Sequence, residues 1–353
     1  MQKVLLNMTL ACFVICLCAC SSDVVRESLE FLKQEDALPW FSRCRIYDIN
    51  GQEAVLLPTD YGFATIDTET KKVDTIYDKL YAGISEFCYN SDDETIWAQL
   101  ENRNLNIWNS KTCTEIPCPP TKHQGEFVKW FGFGAYDPFF SFGNILYTGI
   151  NPSSDSDVNF ADFRAKSGLI AAWDISNPDS VRCVKIFGKR PSDQPKDMFI
   201  DDCYQTAFNV EDSIIVAGTE LSQNVVVMTM SGKTLKEKEL TSKFYVKPQK
   251  KDFSQNHSAK DKMQYWEENM LFRGLFYDKY RKLYYRILQL PKQEDKSLFT
   301  KRKQDWVLIV ADSKLNKKYE VKFDGDKYRW AILIGKQGVY VLKDKTMDLF
   351  VFD

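Results

Sequence analysis

The feature that most constrains this chain is a strand–turn–strand unit that recurs six times. An apolar strand ends in Asp, Asn or Ser, a short polar turn follows, and a second strand begins. Phe63-Ala64-Thr65-Ile66-Asp67 leads into residues 72–76, and Leu105-Asn106-Ile107-Trp108-Asn109 leads into Thr114-Glu115-Ile116. Further copies end at Trp173-Asp174, Met230-Ser231, Ala311-Asp312 and Phe352-Asp353. A separate apolar run precedes each copy, at 54–57, 95–99, 145–149, 213–218, 283–288 and 338–342. Short runs rich in Val, Ile, Tyr and Phe between tight polar turns point to an all-β fold.

Asp67 and Asn109 are 42 residues apart, and Asp312 and Asp353 are 41 apart. Both intervals sit near the roughly 40–45 residues of a four-stranded propeller blade. The remaining intervals of 65, 57 and 81 residues hold the same unit plus an insertion. Six units predict a six-bladed β-propeller of four-stranded blades, whose sheets pack face to face around a central channel. The alternatives are a seven-bladed ring, with one blade inside the 81-residue interval, and an open pair of sandwiches. The sixth unit stops at Asp353, before the strand that should form its outer edge. A segment between about residues 24 and 47 is placed to supply that strand, closing the ring and covering an exposed edge.

The N-terminus carries a different signal. Lys3 is followed by an apolar run from Val4 to Leu17 and then by Leu17-Cys18-Ala19-Cys20-Ser21-Ser22. A basic start, a short apolar segment and a small-residue cleavage region mark an export signal rather than a membrane span. The cysteine after Ala19 matches a lipobox, so Cys20 is the expected lipidation site and new N-terminus, and its acyl chains hold the protein to a membrane. Ser21 rather than Asp follows the cysteine, which favours the outer membrane. The expected organisation is therefore a signal peptide at 1–19, an anchor and closing segment at 20–43, and a propeller at 44–353. Insertions are expected near 119–143, 151–167 and 243–271.

A lipobox followed by six such units, with Phe276-Tyr277-Asp278-Lys279-Tyr280-Arg281-Lys282-Leu283-Tyr284-Tyr285-Arg286 in the fifth, resembles uncharacterised bacterial lipoproteins read as six-bladed propellers of the TolB-like type. The resemblance implies the fold and the anchor. It brings no catalytic residues to this chain.

Basic and acidic residues nearly cancel, 47 against 49, which gives no electrostatic case for nucleic acid as a partner. Six cysteines follow the signal: Cys44, Cys88, Cys113, Cys118, Cys183 and Cys203. An exported chain can pair them, but their spacing chooses no pairing and matches no zinc site. His123 and His257 are the two histidines, and neither has an acid or nucleophile placed beside it in sequence. No cofactor or metal is expected. Asp155-Ser156-Asp157-Val158-Asn159 opens like a calcium loop, but Phe160 stands where glycine is needed and Lys166 where a bidentate glutamate belongs.

Two insertions carry recognisable chemistry. The first packs aromatic residues around Gly132 and Gly134, and Trp130, Phe131 and Tyr136 are its candidate ligand-binding residues, as a platform for a sugar or peptide. A loop tucking its own rings against the blades is the plainer reading. In the third, Met263, Trp266 and Met270 are spaced by three and four, which predicts an amphipathic helix over 259–270 packed on the propeller.

Two functions follow from these observations. The first is a membrane-anchored binding or scaffolding propeller for an envelope or extracellular protein, peptide or glycan. The second is a polysaccharide- or peptide-acting hydrolase or lyase with carboxylates converging at the channel. Close carboxylates in a deep pocket would favour the enzyme, and apolar side chains in the channel would favour the binding module.

Overall fold

The computed structural model describes residues 25–30, 44–49, 51–59, 62–70, 72–75, 84–91, 93–100, 105–108, 113–116, 122–123, 126–127, 139–149, 168–194, 204–249, 259–292, 304–343 and 346–352. They form six four-stranded antiparallel sheets, the blades of a β-propeller. The first strand, β1 (Val25–Glu30), belongs to the last blade. Blade 1 is β2 (Arg45–Ile49), β3 (Gln52–Thr59), β4 (Gly62–Asp67) and β5 (Val73–Thr75). Blade 2 is β6 (Ile84–Asn90), β7 (Thr95–Leu100), β8 (Leu105–Trp108) and β9 (Cys113–Ile116). A small hairpin, β10 (Lys122–His123) with β11 (Glu126–Phe127), precedes blade 3.

Blade 3 is β12 (Phe139–Phe142), β13 (Ile145–Gly149), β14 (Ile170–Asp174) and β15 (Arg182–Phe187). Blade 4 is β16 (Tyr204–Asn209), β17 (Ile214–Thr219), β18 (Asn224–Thr229) and β19 (Thr234–Glu239). Helix α1 (Ala259–Glu268) leads to blade 5, made of β20 (Leu271–Asp278), β21 (Leu283–Gln289), β22 (Trp306–Ala311) and β23 (Lys317–Phe323). Blade 6 has β24 (Ile332–Ile334), β25 (Val339–Leu342) and β26 (Thr346–Phe350), with β1 as its fourth strand.

The six repeats of the sequence are the third strands of the six blades, and the apolar runs before them are the second strands. Those strands are covered by neighbouring blades on both faces, which is why they read as apolar. Every residue of β21 and β22 is buried. Six apolar clusters fill the six gaps between blades, including the gap between blades 6 and 1, where Leu333, Tyr340 and Leu349 meet Val55, Leu57 and Ile66. Outer strands carry charge instead: β19 reads Thr-Leu-Lys-Glu-Lys-Glu and is largely exposed, a sequence that resists edge-to-edge pairing.

The Asp that ends several of the repeats has a local cause. The Oδ1 of Asp67 accepts hydrogen bonds from the backbone N–H of Glu69 at 2.9 Å and of Thr70 at 2.6 Å. The Oδ1 of Asp312 accepts from Lys314 at 2.9 Å and Asn316 at 2.8 Å. These carboxylates cap the turn between third and fourth strands, so a short acceptor is needed where the strand stops.

Strand order fixes two faces. Turns between first and second and between third and fourth strands gather on one face, which we call the turn face. Connections from second to third strands and from blade to blade gather on the opposite face. The long connections, between 30 and 45, 116 and 139, 149 and 170, 187 and 204, 239 and 271, and 289 and 306, join blade-strand ends on that insertion face.

Closure comes from β1, which pairs antiparallel with β26 from Val25 opposite Phe350 to Glu30 opposite Thr346. The expected closing region thus divides: 25–30 closes the ring, whereas Arg45–Ile49 is the innermost strand of blade 1. The 81-residue interval holds β19, α1, β20, β21 and β22 with their connections, and no seventh blade stands among the described residues. The aromatic stretch 119–143 runs into a blade, since Phe139–Phe142 is the innermost strand of blade 3.

The helix expected over 259–270 is α1, but its packed face is rotated from the expected one. Met263 is 57% exposed, and Tyr265 is buried with Leu221 and Leu271, the Trp266 ring packing beside them. The Tyr265 hydroxyl donates to the Gln249 carbonyl at 2.9 Å, and Asn269 Nδ2 donates to the Tyr265 carbonyl at 2.8 Å. A ring with a satisfied hydroxyl wins the buried position over the methionine.

Candidate functional site: the aromatic channel

The first strands of all six blades enclose a cavity of about 580 Å³. That volume lies within the roughly 300–1,000 Å³ range of ligand sites. Its walls come from the short first strands of blades 1, 3 and 6, from the C-terminal parts of those of blades 2, 4 and 5, and from the turns that follow these, including Ser91, Glu211, Lys279 and Tyr280. The cavity therefore belongs to the turn face.

Four of the six inner strands carry, at or one residue before their C-terminal end, an aromatic residue followed by Asp or Asn: Tyr47-Asp48, Tyr89-Asn90, Phe208-Asn209 and Tyr277-Asp278. All four rings line the cavity. The polar partner shapes the turn in at least two of them. Asp278 is fully buried and accepts from the N–H of Tyr280 at 2.9 Å and of Arg281 at 3.1 Å. Asn209 Oδ1 accepts from the Asp212 N–H at 3.1 Å. Repetition of this pair around the ring is the sequence signal that could have found the site.

The rings hold one another in place. Tyr47 and Tyr89 meet edge to face with centroids 5.7 Å apart, and Phe140 stacks on Phe208 at 4.4 Å. Phe142 and Tyr280 also line the cavity and stay 44% and 37% exposed. Exposed rings at the mouth of an aromatic cavity are groups still available for contact. The Tyr280 hydroxyl is pushed up to about 12 by burial, reinforced by the carboxylates of Glu53, Asp48 and Asp278, so it remains a neutral donor and acceptor near pH 7.

Charged lining groups are few. Arg45 lies 3.8 Å from the buried Glu86 and donates to the Cys44 carbonyl at 3.0 Å. Asp48 pairs with Lys336 at 3.4 Å and Glu211 with Lys282 at 3.8 Å, all partly exposed. Lys279 lies 5.2 Å from the centre of the Tyr280 ring. The lining carboxylates Asp48 and Glu211 stand on blades 1 and 4, across the ring from each other. Each of these two carboxylates is engaged by a lysine of a neighbouring turn.

The fifth-blade motif proves to be a fastening between blades. Asp278 Oδ2 accepts from Arg281 Nε at 2.6 Å and from the Tyr285 hydroxyl at 3.0 Å. Arg281 then donates to the carbonyls of Gly335 and Lys336 in blade 6, at 2.8 and 3.1 Å. On the other side, the buried Arg286 donates to carbonyls of blade 4 and the connection after it.

The expected site residues Cys20, Trp130, Phe131 and Tyr136 lie outside the described residues, as do His257 and the acidic loop at 155–166, which carried no site expectation. Cys44 and Cys88 are buried and Cys183 is half-buried. Burial pushes Cys44 and Cys88 up to about 12. No cluster of metal-ligating side chains stands among the described residues.

A family model described as a domain of unknown function, DUF4221, matches residues 120–322, from before blade 3 to the outer strand of blade 5. Over 94% of its length the chain is similar to a crystal structure of a DUF4221 family member from Bacteroides vulgatus ATCC 8482. That match covers 97% of the other chain, with a TM-score of 0.74 and 17% identity. A weaker likeness covers 93% of this chain and 100% of the β-propeller domain of Myceliophteria thermophila Cps50 (Swd1), with a TM-score of 0.44 and 8% identity. No curated protein matches the chain.

Proposed function

The chain belongs to the DUF4221 family, and from that premise we propose that it is a lipid-anchored binding module of the bacterial envelope. Its turn-face cavity takes a glycan or an extended peptide. The observation that carries the binding reading is a cavity of about 580 Å³ walled by rings from successive blades. Aromatic faces contact sugar C–H groups and apolar side chains alike, and the exposed Phe142 and Tyr280 stand where an entering ligand first meets the protein. Asp48, Glu211 and Lys279 supply the few polar contacts that fix orientation.

The anchor reading rests on the apolar run from Val4 to Leu17 and on Cys20 behind it. No helix among the described residues is long and apolar enough to cross a membrane. A cell-envelope address, at the outer membrane, belongs to the same reading.

Calorimetric titration of the chain with defined oligosaccharides and unstructured peptides tests the binding reading. Saturable heat with one class is expected, lost in Phe142→Ala/Tyr280→Ala with the melting temperature unchanged. Binding that survives this double substitution would place the site elsewhere.

A further inference from the structure

We infer that the turn face, with the mouth of the aromatic cavity, is the face this protein turns toward the membrane, while the insertion face points away. The inference rests on the lipid-anchor reading above and adds to it the direction of one strand. Every third strand runs from the insertion face to the turn face, so Phe350 of β26 lies at the turn-face end and Thr346 at the other. Val25 pairs with Phe350 and Glu30 with Thr346. The chain therefore enters the propeller at the turn face.

Five residue steps separate Cys20 from Val25. Fully extended, they span at most about 17 Å. An acylated Cys20 thus keeps the turn-face edge of blade 6 within about one blade height of the lipid headgroups. With the insertion face inward, the same tether would have to run fully stretched along the whole blade just to reach the headgroups.

The turn face has groups suited to that position. Phe142 and Tyr280 are its exposed rings at the cavity mouth, and Lys279, Lys282 and Lys336 lie in the neighbouring turns. Lys336 and Lys282 pair there with Asp48 and Glu211, and aromatic rings beside lysine stems suit a membrane–water interface, where the ring end is apolar and the polar ends reach water. The ligand of the cavity then arrives between the propeller and the bilayer, so it is a membrane-proximal segment or glycan.

The test uses the full lipidated chain in vesicles of phosphatidylethanolamine and phosphatidylglycerol. A photo-crosslinking amino acid replaces Lys282 or Lys336 on the turn face, or Lys260 or Met263 on α1. All four side chains are exposed, and melting temperatures confirm folding. Lipid adducts several-fold more abundant from 282 and 336 than from 260 and 263 are expected. Equal yields, the reverse order or no lipid adduct from any position would overturn the orientation. Flotation with the vesicles reports separately on the anchor: a chain that floats no better than its Cys20→Ala variant overturns the anchor reading, and the orientation with it.

Discussion

The guanidinium of Arg286 lies 3.5 Å from the centre of the Phe272 ring, fully buried between blades 4 and 5. It donates to the carbonyls of Gln223 at 2.9 Å, Leu240 at 2.7 Å, Thr219 at 3.3 Å and Ser222 at 2.8 Å. One side chain thus ties three carbonyls at the second-to-third-strand turn of blade 4 to the Leu240 carbonyl just beyond its outer strand. Gly218 leaves room for it, since a Cβ there would come within 3.0 Å of Nη2. Replacing Arg286 by Met keeps most of the volume and leaves four carbonyls without their donor. We expect a loss of at least about 3 kcal/mol in urea unfolding. Arg286→Lys should recover only part of it, because an ammonium cannot serve the four acceptors from one plane.

The pairing of β1 with β26 makes a second prediction. A chain starting at residue 31 would expose β26 as an unpaired edge. Its melting temperature should fall by roughly 5 °C, with concentration-dependent association. A synthetic peptide of residues 25–30 added in trans should reverse both effects. An unchanged melting temperature would mean that closure depends on something else.

Much of this architecture is legible in the sequence, for a definite reason. Second and third strands are buried on both faces, so runs such as 283–288 and the Trp173-Asp174 ending stand out as apolar blocks capped by a turn acceptor. Inner strands are harder to see, because one edge faces the cavity and their sequences mix Arg45, Asp48 and Thr206 with rings. The cavity was not legible, since its walls come from six stretches separated by tens to hundreds of residues. The large aromatic insertion drew attention to Trp130, Phe131 and Tyr136, whereas the described part of that stretch, Phe139–Phe142, is itself a cavity wall. In α1 the spacing of Met263 and Trp266 marked a face, and the hydrogen-bonding demand of Tyr265 turned it.

Thiol reactivity provides a third check. Cys44 and Cys88 are 1% exposed and pushed up to about 12 by burial, while Cys183 is half-buried and pushed up to about 11. Alkylation of the native protein, read by peptide mass spectrometry, should modify Cys183 well before Cys44 or Cys88. The buried pair should react only on unfolding. Early modification of Cys88 would contradict the packing between blades 2 and 3.

Acid stability follows from the turn caps. Asp174 is held below the usual carboxylate range by the Ser176 hydroxyl, the Ser176 N–H and Arg182, the small desolvation at this exposed site opposing them. The native state therefore binds fewer protons than the unfolded chain near pH 4. The stabilisation is complete above the unfolded pKa and disappears as pH falls through the lower folded one. Melting temperatures measured between about pH 6 and pH 3 should fall less steeply in Asp174→Asn than in the parent.

The central claim is that this propeller binds its ligand in the aromatic cavity of the turn face. Hydroxyl-radical footprinting with and without a saturating ligand from the titration panel tests it most directly. Protection of Phe142 and Tyr280 is expected, with Met263 and Val246 unchanged. Protection confined to Met263, Val246 and their neighbours on the insertion face would contradict it.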